Sequence, residues 1–424
     1  MANNWYKLDN AAKIFPAIRT KDNVSTFRLA AIFYTEIDKD LLLKALLEAL
    51  KRFSTFKVKL KKGLFWYYLE YNNALPIIEE EISNSFHDKI FFHNNDYLFK
   101  LSYFGKRVSL VIFHSLTDGT GGMEFFKCIC YYYLTFSGVE ITNDGTILTT
   151  DMETLAIEDD DSFLENYNKD INPYEKEERA FTLTGKYYSK GYTALIHYLI
   201  KIDKLKEVCK KYDTTITEYI GAVILYAIYV EYFKKKKQET TKPVKLFIPV
   251  NLRKCFNSKT LRNFALFVRV TVNMNEELIF TDLIKFTKTQ IRDELDQDKL
   301  KSRLVKNVNF EKLFIIRILP LALKKIGMMI GYKKLGRDVN TVCFSNLGII
   351  QTPIEMNKYI DRFEFTIGAS KNVPVSFSIA SYNNTLCLMY ASQFINRNIA
   401  KIVASKFVED SLDIVVEANE LEVK

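Results

Sequence analysis

The stretch Val108-Ser109-Leu110-Val111-Ile112-Phe113-His114-Ser115-Leu116-Thr117-Asp118-Gly119-Thr120-Gly121-Gly122-Met123 decides how this chain is read. A run of β-favouring apolar residues ends at His114, a polar turn follows, and over 123–136 the apolar spacing becomes helical. The turn holds three of the chain's 15 glycines, Gly119, Gly121 and Gly122, which relax the backbone where a bulky ligand must approach. Strand, turn and helix place His114 at a strand end, where fold-supported sites gather. An imidazole is the side chain whose unperturbed pKa lies near neutrality, so it can take a proton from an alcohol or amine and return it later. Two readings of His114 stand: a general base, or a structural histidine at a glycine turn. Asp118 either orients the imidazole or pins the turn by pairing elsewhere.

Outward from this stretch, 27–34 is a short β-rich run, and 38–53 repeats apolar residues at helical spacing through Leu42, Leu46, Ala49, Leu50 and Phe53. Strand-like runs follow at 64–71, 98–104 and 108–113. Mixed strands and helices of this kind define an α/β or α+β architecture. Between about 151 and 179 the acidic run Glu158-Asp159-Asp160-Asp161 and then Asn172-Pro173-Tyr174-Glu175-Lys176-Glu177-Glu178 read as a linker. The expected boundary divides the chain into lobes 1–175 and 176–424.

The second lobe opens with a strand-like run at 192–202 and a helix from Asp203. Thr215-Ile216-Thr217-Glu218 is then a capping-box pattern, in which hydroxyl and carboxylate satisfy each other's orphan N–H groups at the start of an apolar helix to Phe233. Strands are expected at 244–250 and 265–272 and near Val339, Phe363, Val375 and Leu386. Helices are expected near 277–295 and 312–329, and from about Asn396 to the chain end. Residues 312–334 mix Leu313, Phe314, Ile315, Ile316, Ile318 and Leu319 with Arg317, Lys324 and Lys325. That pattern fits either an amphipathic helix at an anionic lipid surface or, with Pro320 interrupting it, a helix packed on a core.

Composition narrows the class. The chain has 424 residues, 48% hydrophobic and 26% charged, with 15 Gly and 8 Pro, which excludes collagen-like and disordered architectures. A net charge of +9 favours anionic partners, such as a phosphate-bearing co-substrate, an acidic carrier protein or a membrane surface. The basic residues are spread along the chain and no nucleic-acid-binding signature is present, so nucleic acid is not an expected partner. No basic segment followed by an apolar run opens the chain, and no uncharged stretch approaches the length of a membrane span, so a cytoplasmic protein is expected.

The four histidines are His87, His93, His114 and His197, and the six cysteines are Cys128, Cys130, Cys209, Cys255, Cys343 and Cys387. None of them combine at metal-ligand spacing, so no metal site is expected. His87 and His93 read as solvated loop residues and His197 as a satisfied strand histidine. Cys343 has no sequence-local base and reads as a buried small hydrophobe.

His114-Ser115-Leu116-Thr117-Asp118-Gly119 resembles the H-x-x-x-D-G motif of the acyltransferase superfamily that includes chloramphenicol acetyltransferase, the plant BAHD enzymes, peptide-synthetase condensation domains and alcohol acetyltransferases. Pro249-Val250-Asn251-Leu252-Arg253-Lys254, then Thr260-Leu261-Arg262-Asn263-Phe264, and Phe344-Ser345-Asn346-Leu347-Gly348 resemble bacterial members of the alcohol acetyltransferase-like branch. The likeness spans nearly the whole chain. It implies two chloramphenicol-acetyltransferase-like lobes, each a mixed sheet flanked by helices, forming a pseudo-dimer around a central tunnel. It further implies direct acyl transfer from a thioester, acyl-CoA as co-substrate with no tightly bound cofactor, and a small alcohol or amine as acceptor. On this resemblance His114 is the base, and Asp118, beside Gly119, points away from substrate and pairs with Arg253.

Two departures bear on the branch. Condensation domains usually carry a second histidine where Phe113 stands, and the D-F-G-W-G motif of the plant enzymes is absent. Ser345 and Asn346 are candidates for hydrogen-bonding the oxyanion or the thioester arm, against the simpler role of a Ser-Asn-Leu-Gly turn. Condensation on carrier-tethered substrates and a non-catalytic scaffold remain the alternative functions. A basic imidazole at a tunnel centre has no purpose in a scaffold.

Overall fold

A computed structural model describes residues 5–19, 25–81, 94–169, 171, 178–189, 192–313, 317–331 and 339–419. His87, His93 and Asn172–Glu177 lie outside the described residues. Two mixed sheets dominate. The five-stranded sheet runs Ile360–Ile367, Thr26–Phe33, Arg107–Phe113, Phe99–Phe104, Ile78–Glu80. The seven-stranded sheet runs Ala265–Val272, Val244–Asn251, Val342–Ile349, Val375–Tyr382, Thr385–Ser392, Ala194–Lys201, Ile414–Ala418. A three-stranded sheet of Trp5–Lys7, Tyr67–Tyr71 and Val58–Lys62 completes the set.

Each large sheet buries one face under helices. Lys39–Arg52 is capped by Asp38, whose side chain accepts from the Asp40 and Leu41 N–H groups, and it packs against Gly119–Phe136 over the five-stranded sheet. Ile216–Ile228 carries the expected capping box: Thr215 Oγ1 accepts from Glu218 N–H at 3.2 Å, and Glu218 accepts from Thr215 N–H at 2.7 Å. This helix and its continuation are long and apolar enough over Ile216–Lys235 to cross a membrane, but most of that stretch is buried within the protein. Together with Phe280–Glu294 and Asn398–Glu409, it packs over the seven-stranded sheet.

The sheet order is not collinear with the chain. Ile360–Ile367, from the C-terminal half, pairs antiparallel with Thr26–Phe33 and closes the edge of the sheet built otherwise from residues before 114. Its other side rests on Val375–Tyr382 and Thr385–Ser392, so one strand belongs to one sheet and packs on the other.

Three readings change. The acidic stretch taken as a linker is docked: Arg52 forks onto buried Glu158 at 2.8 Å through both terminal nitrogens, and Leu261 N–H donates to Glu158 O at 2.7 Å. Of the helix expected over 312–329, residues 314–316 lie outside the described residues; Lys312 ends the helix Gln297–Lys312, and Leu321–Gly331 begins directly after Pro320, whose ring and missing N–H break a helix interior. The chain continues past Asn398–Glu409 into a further strand, Ile414–Ala418.

Candidate functional site

His114 leaves the strand Arg107–Phe113 with its N–H donated to Ser25 O at 2.9 Å. Its ring stacks on Phe15 (centroids 4.5 Å apart, 18° between planes) and meets the edge of Phe27 at 5.2 Å. Aromatic walls on two sides hold the imidazole in one orientation. The polar edge finds its partner in the other half of the chain, where Nδ1 lies 3.0 Å from Asn263 Oδ1.

The orientation of that amide is itself fixed. Asn263 Nδ2 donates to Asp9 Oδ2 at 3.1 Å and Asn263 N–H reaches the same oxygen at 3.4 Å, while Asp9 Oδ1 accepts from Ala12 N–H at 2.7 Å. Asp9 is buried, which pushes its carboxyl upward against the opposing pull of Arg262. With Nδ2 committed to Asp9, Oδ1 faces His114 and can only accept. In the neutral imidazole this contact favours the tautomer with the proton on Nδ1 and the lone pair on Nε2.

Asp118 points away from His114. Its Oδ1 caps the helix Gly119–Phe136 by accepting from Thr120 and Gly121 N–H at 3.1 Å each. Arg253 forks onto it, Nη1 to Oδ2 at 2.9 Å and Nη2 to Oδ1 at 3.0 Å, and Phe264 N–H adds a bond to Oδ2 at 2.9 Å. Burial opposes ionisation of Asp118, but the Arg253 guanidinium and the Phe264 and Gly121 N–H groups outweigh it and hold the carboxyl below its usual range. Arg253 is anchored in turn on Thr260 O at 2.7 Å and Arg262 O at 2.6 Å. The motif turn and the segment 260–264 are thereby joined.

The glycines serve that junction. A Cβ on Gly121 would stand 2.0 Å from Leu261 O and 2.2 Å from Thr117 Oγ1, and Thr117 Oγ1 itself donates to Leu261 O at 2.6 Å. On Gly119 a Cβ would meet Leu347 Cδ2 at 2.8 Å. Only a helix start without side chains can lie this close to the other half.

Ser345 and Asn346 sit in the strand Val342–Ile349. Asn346 has its amide committed, with Nδ2 on Thr217 Oγ1 at 2.9 Å and Oδ1 accepting from Gly348 N–H at 2.6 Å, where Gly348 adopts φ 78°. Ser345 is buried and shares a strand face with Leu347, the residue that meets Gly119. Ser115 turns from the imidazole and donates to Ala12 O at 3.1 Å. Burial pushes the Cys343 thiol up to about 12.

The sequence reading missed Asn263, Asp9 and Phe15. Asn263 stood inside a stretch already singled out, but nothing local assigns it to an imidazole 149 positions away. It also missed that His197 Nδ1, a Glu364 oxygen and Cys387 Sγ come within 4.8 Å of one another, from three separate strands. Arg362 Nε donates to Glu364 Oε1 at 3.1 Å and its Nη2 to Glu417 Oε2 at 2.6 Å. His197 Nδ1 approaches Glu364 to 3.1 Å without the angle of a hydrogen bond. A guanidinium already supplies the positive charge there, so the cluster is an ion network between the sheets. A cavity of about 460 Å³ lined by Lys206, Lys210, Thr215 and Arg292, among others, shares no lining residue with the His114 site.

Two mixed sheets with a histidine held between the halves of the chain define a chloramphenicol-acetyltransferase-like acyltransferase fold, and solved structures agree. TRI101 of F. graminearum, complexed with coenzyme A and deoxynivalenol, superposes with a TM-score of 0.63 at 9% identity, covering 97% of this chain and 99% of that one. TRI3 trichothecene 15-O-acetyltransferase from Fusarium sporotrichioides gives 0.61 at 12% identity over 96% of each chain. The epimerization domain from the third module of tyrocidine synthetase B gives 0.58 at 12% identity, over 96% of this chain and 95% of that one. At such identities the likeness speaks for the fold alone. Residues 174–394, more than half of the chain, match the alcohol acetyltransferase family, and the chain belongs to that family of acyltransferases. No curated protein matches it by sequence.

Proposed function

We propose that this chain transfers an acyl group from acyl-CoA directly to the hydroxyl of a small alcohol, with His114 as general base. The observation that supports the reading is the Asp9–Asn263–His114 chain of hydrogen bonds, which favours the neutral tautomer with its proton on Nδ1 and Nε2 as acceptor. Nε2 takes the hydroxyl proton as the oxygen attacks the thioester carbonyl. The tetrahedral oxyanion collapses, the C–S bond breaks, and the imidazolium returns the proton to the leaving thiolate. Ester and free CoA result, and no protein atom is acylated. Ser345 is the candidate donor to the oxyanion, since Asn346 spends its amide on Thr217 and Gly348. Asp118, Gly119 and Arg253 hold the loop and move no proton. Coenzyme A in the TRI101 complex supports a CoA thioester as donor.

Release of free thiol from acetyl-CoA, measured across panels of alcohols and amines, tests this. Release that depends on an alcohol supports the reading, and dependence on amines alone would make the enzyme an N-acyltransferase. Absence of release with any CoA thioester, together with turnover of a carrier-protein thioester, would replace it by the carrier-dependent reaction.

A further inference from the structure

The helix Leu321–Gly331 is turned inside out. Leu321 and Lys324 face the protein: Leu321 N–H donates to Leu64 O at 2.8 Å, and Lys324 Nζ donates to Phe65 O at 2.8 Å while lying 4.0 Å over the Trp66 ring. On the opposite side, at spacings of three and four residues, Leu323, Ile326 and Ile330 are 53%, 56% and 49% exposed. A helix packed on a core does the reverse, with apolar residues inward and lysine outward. Beside it Leu64 and Phe65, at the turn of the hairpin Val58–Lys62/Tyr67–Tyr71, are 70% and 44% exposed, and Leu313 and Ile318 just before the helix are each 52% exposed.

Charge says what covers this face. From residue 312 to 337 the sequence has no Asp or Glu and carries Lys312, Arg317, Lys324, Lys325, Lys333, Lys334 and Arg337. From 57 to 69, around the hairpin turn, it again has no acidic residue and carries Lys57, Lys59, Lys61 and Lys62. Exposed Leu, Ile and Phe within sequence stretches carrying this surplus of Lys and Arg, of which Lys59 is paired with Glu70 and Lys324 is buried, is the pattern that enters the headgroup region of an anionic bilayer.

We propose that the face formed by Leu323, Ile326 and Ile330, with the Leu64–Phe65 turn beside it, docks on an anionic lipid bilayer. The helix packs on Phe15–Ile18, the short helix whose Phe15 ring stacks on His114. The docking surface is therefore one element removed from the imidazole, and this proposal stands independently of the chemistry assigned to it.

Flotation of the full chain with vesicles of phosphatidylcholine plus phosphatidylserine, against phosphatidylcholine alone, tests it. The chain should float with the anionic vesicles, less so at high salt. The triple variant Leu323→Ser, Ile326→Ser, Ile330→Ser should lower the partition coefficient by roughly tenfold or more. The three side chains face water, so its thermal transition should match the wild type. Lys325→Glu, a single exposed substitution, should weaken binding at low salt. Three results would overturn the proposal: wild type that stays soluble with anionic vesicles, a correctly folded triple variant that floats as well as wild type, or a wild-type dimer that the triple variant converts to monomer with no vesicle binding by either.

Discussion

At the scale of single residues the reading rests on His114 and the two groups behind it. His114→Ala removes the proton acceptor and little core volume, so thiol release should fall on the order of 10²–10⁴-fold with the unfolding transition still cooperative. Activity above about a tenth of wild type would remove the base from this position. Asn263→Leu keeps the bulk but deletes the acceptor, so both tautomers become available and kcat should drop roughly tenfold or more with KM little changed. Exchanging the two residues, Asn263→Asp with Asp9→Asn, keeps the acceptor, sets a negative charge 3.0 Å from Nδ1 and leaves an amide rather than a second carboxylate behind it. It should stabilise the imidazolium and move the acidic limb of the kcat/KM profile to higher pH. A limb that stays in place in this variant contradicts the contact. Asp118 and Arg253 are 6% and 11% exposed, so removing either strands a buried charge. Asp118→Ala should cost roughly 3–5 kcal/mol, and the double variant should recover much of it. Additive losses would mean that the two side chains do not meet. His114, Asp118 and Gly119 were legible in the sequence because strand, turn and cap are local. Asn263 and Asp9 were not, since their partners lie 149 and 254 positions away.

Among the elements, those whose apolar period is set by a large sheet were readable, and those at edges were not. The expected strand 265–272 coincides with Ala265–Val272, and the capped helix begins at Ile216 as the Thr215 and Glu218 pair requires. Val58–Lys62 is a five-residue edge strand that sends only Val58 and Leu60 to the core, and Ile414–Ala418 is a short edge strand with Val415 and Val416 in solvent, so each carries too few apolar positions to stand out. Leu321–Gly331 misleads for the opposite reason, since its apolar stripe points outward. Two glycines separate close approach from mere tolerance. Gly121→Ala would drive a methyl into Leu261 O and should destabilise by about 1–3 kcal/mol or more, while Gly327→Ala, with nothing within 4 Å of its Cβ, should stabilise by up to about 1 kcal/mol. Thermal melts of the two variants check both signs.

For the molecule as a whole, the pairing of Ile360–Ile367 with Thr26–Phe33 binds the sheets into one body, a connection that no local pattern announces. Glu364 on that strand is buried. Burial resists its ionisation, but the charges of His197, Arg362 and Arg28 prevail and lower its carboxyl from 4.5 to about 2. Because the folded value is depressed, this contribution is fully present above pH 4.5 and is lost as the pH falls toward 2. Stability should therefore decline across that acid range, and Glu364→Gln should flatten the decline. An unchanged slope in the variant would mean that the carboxylate does not carry it.

The central claim is direct transfer, in which His114 activates the acceptor and no acyl-enzyme forms. Intact-protein mass spectrometry after incubation with acetyl-CoA alone, and again after addition of an accepted alcohol, tests it most directly. The account predicts an unchanged protein mass in the first step and free ester with CoA only in the second. A protein-bound acetyl group that appears with acetyl-CoA and is discharged by the alcohol would contradict it.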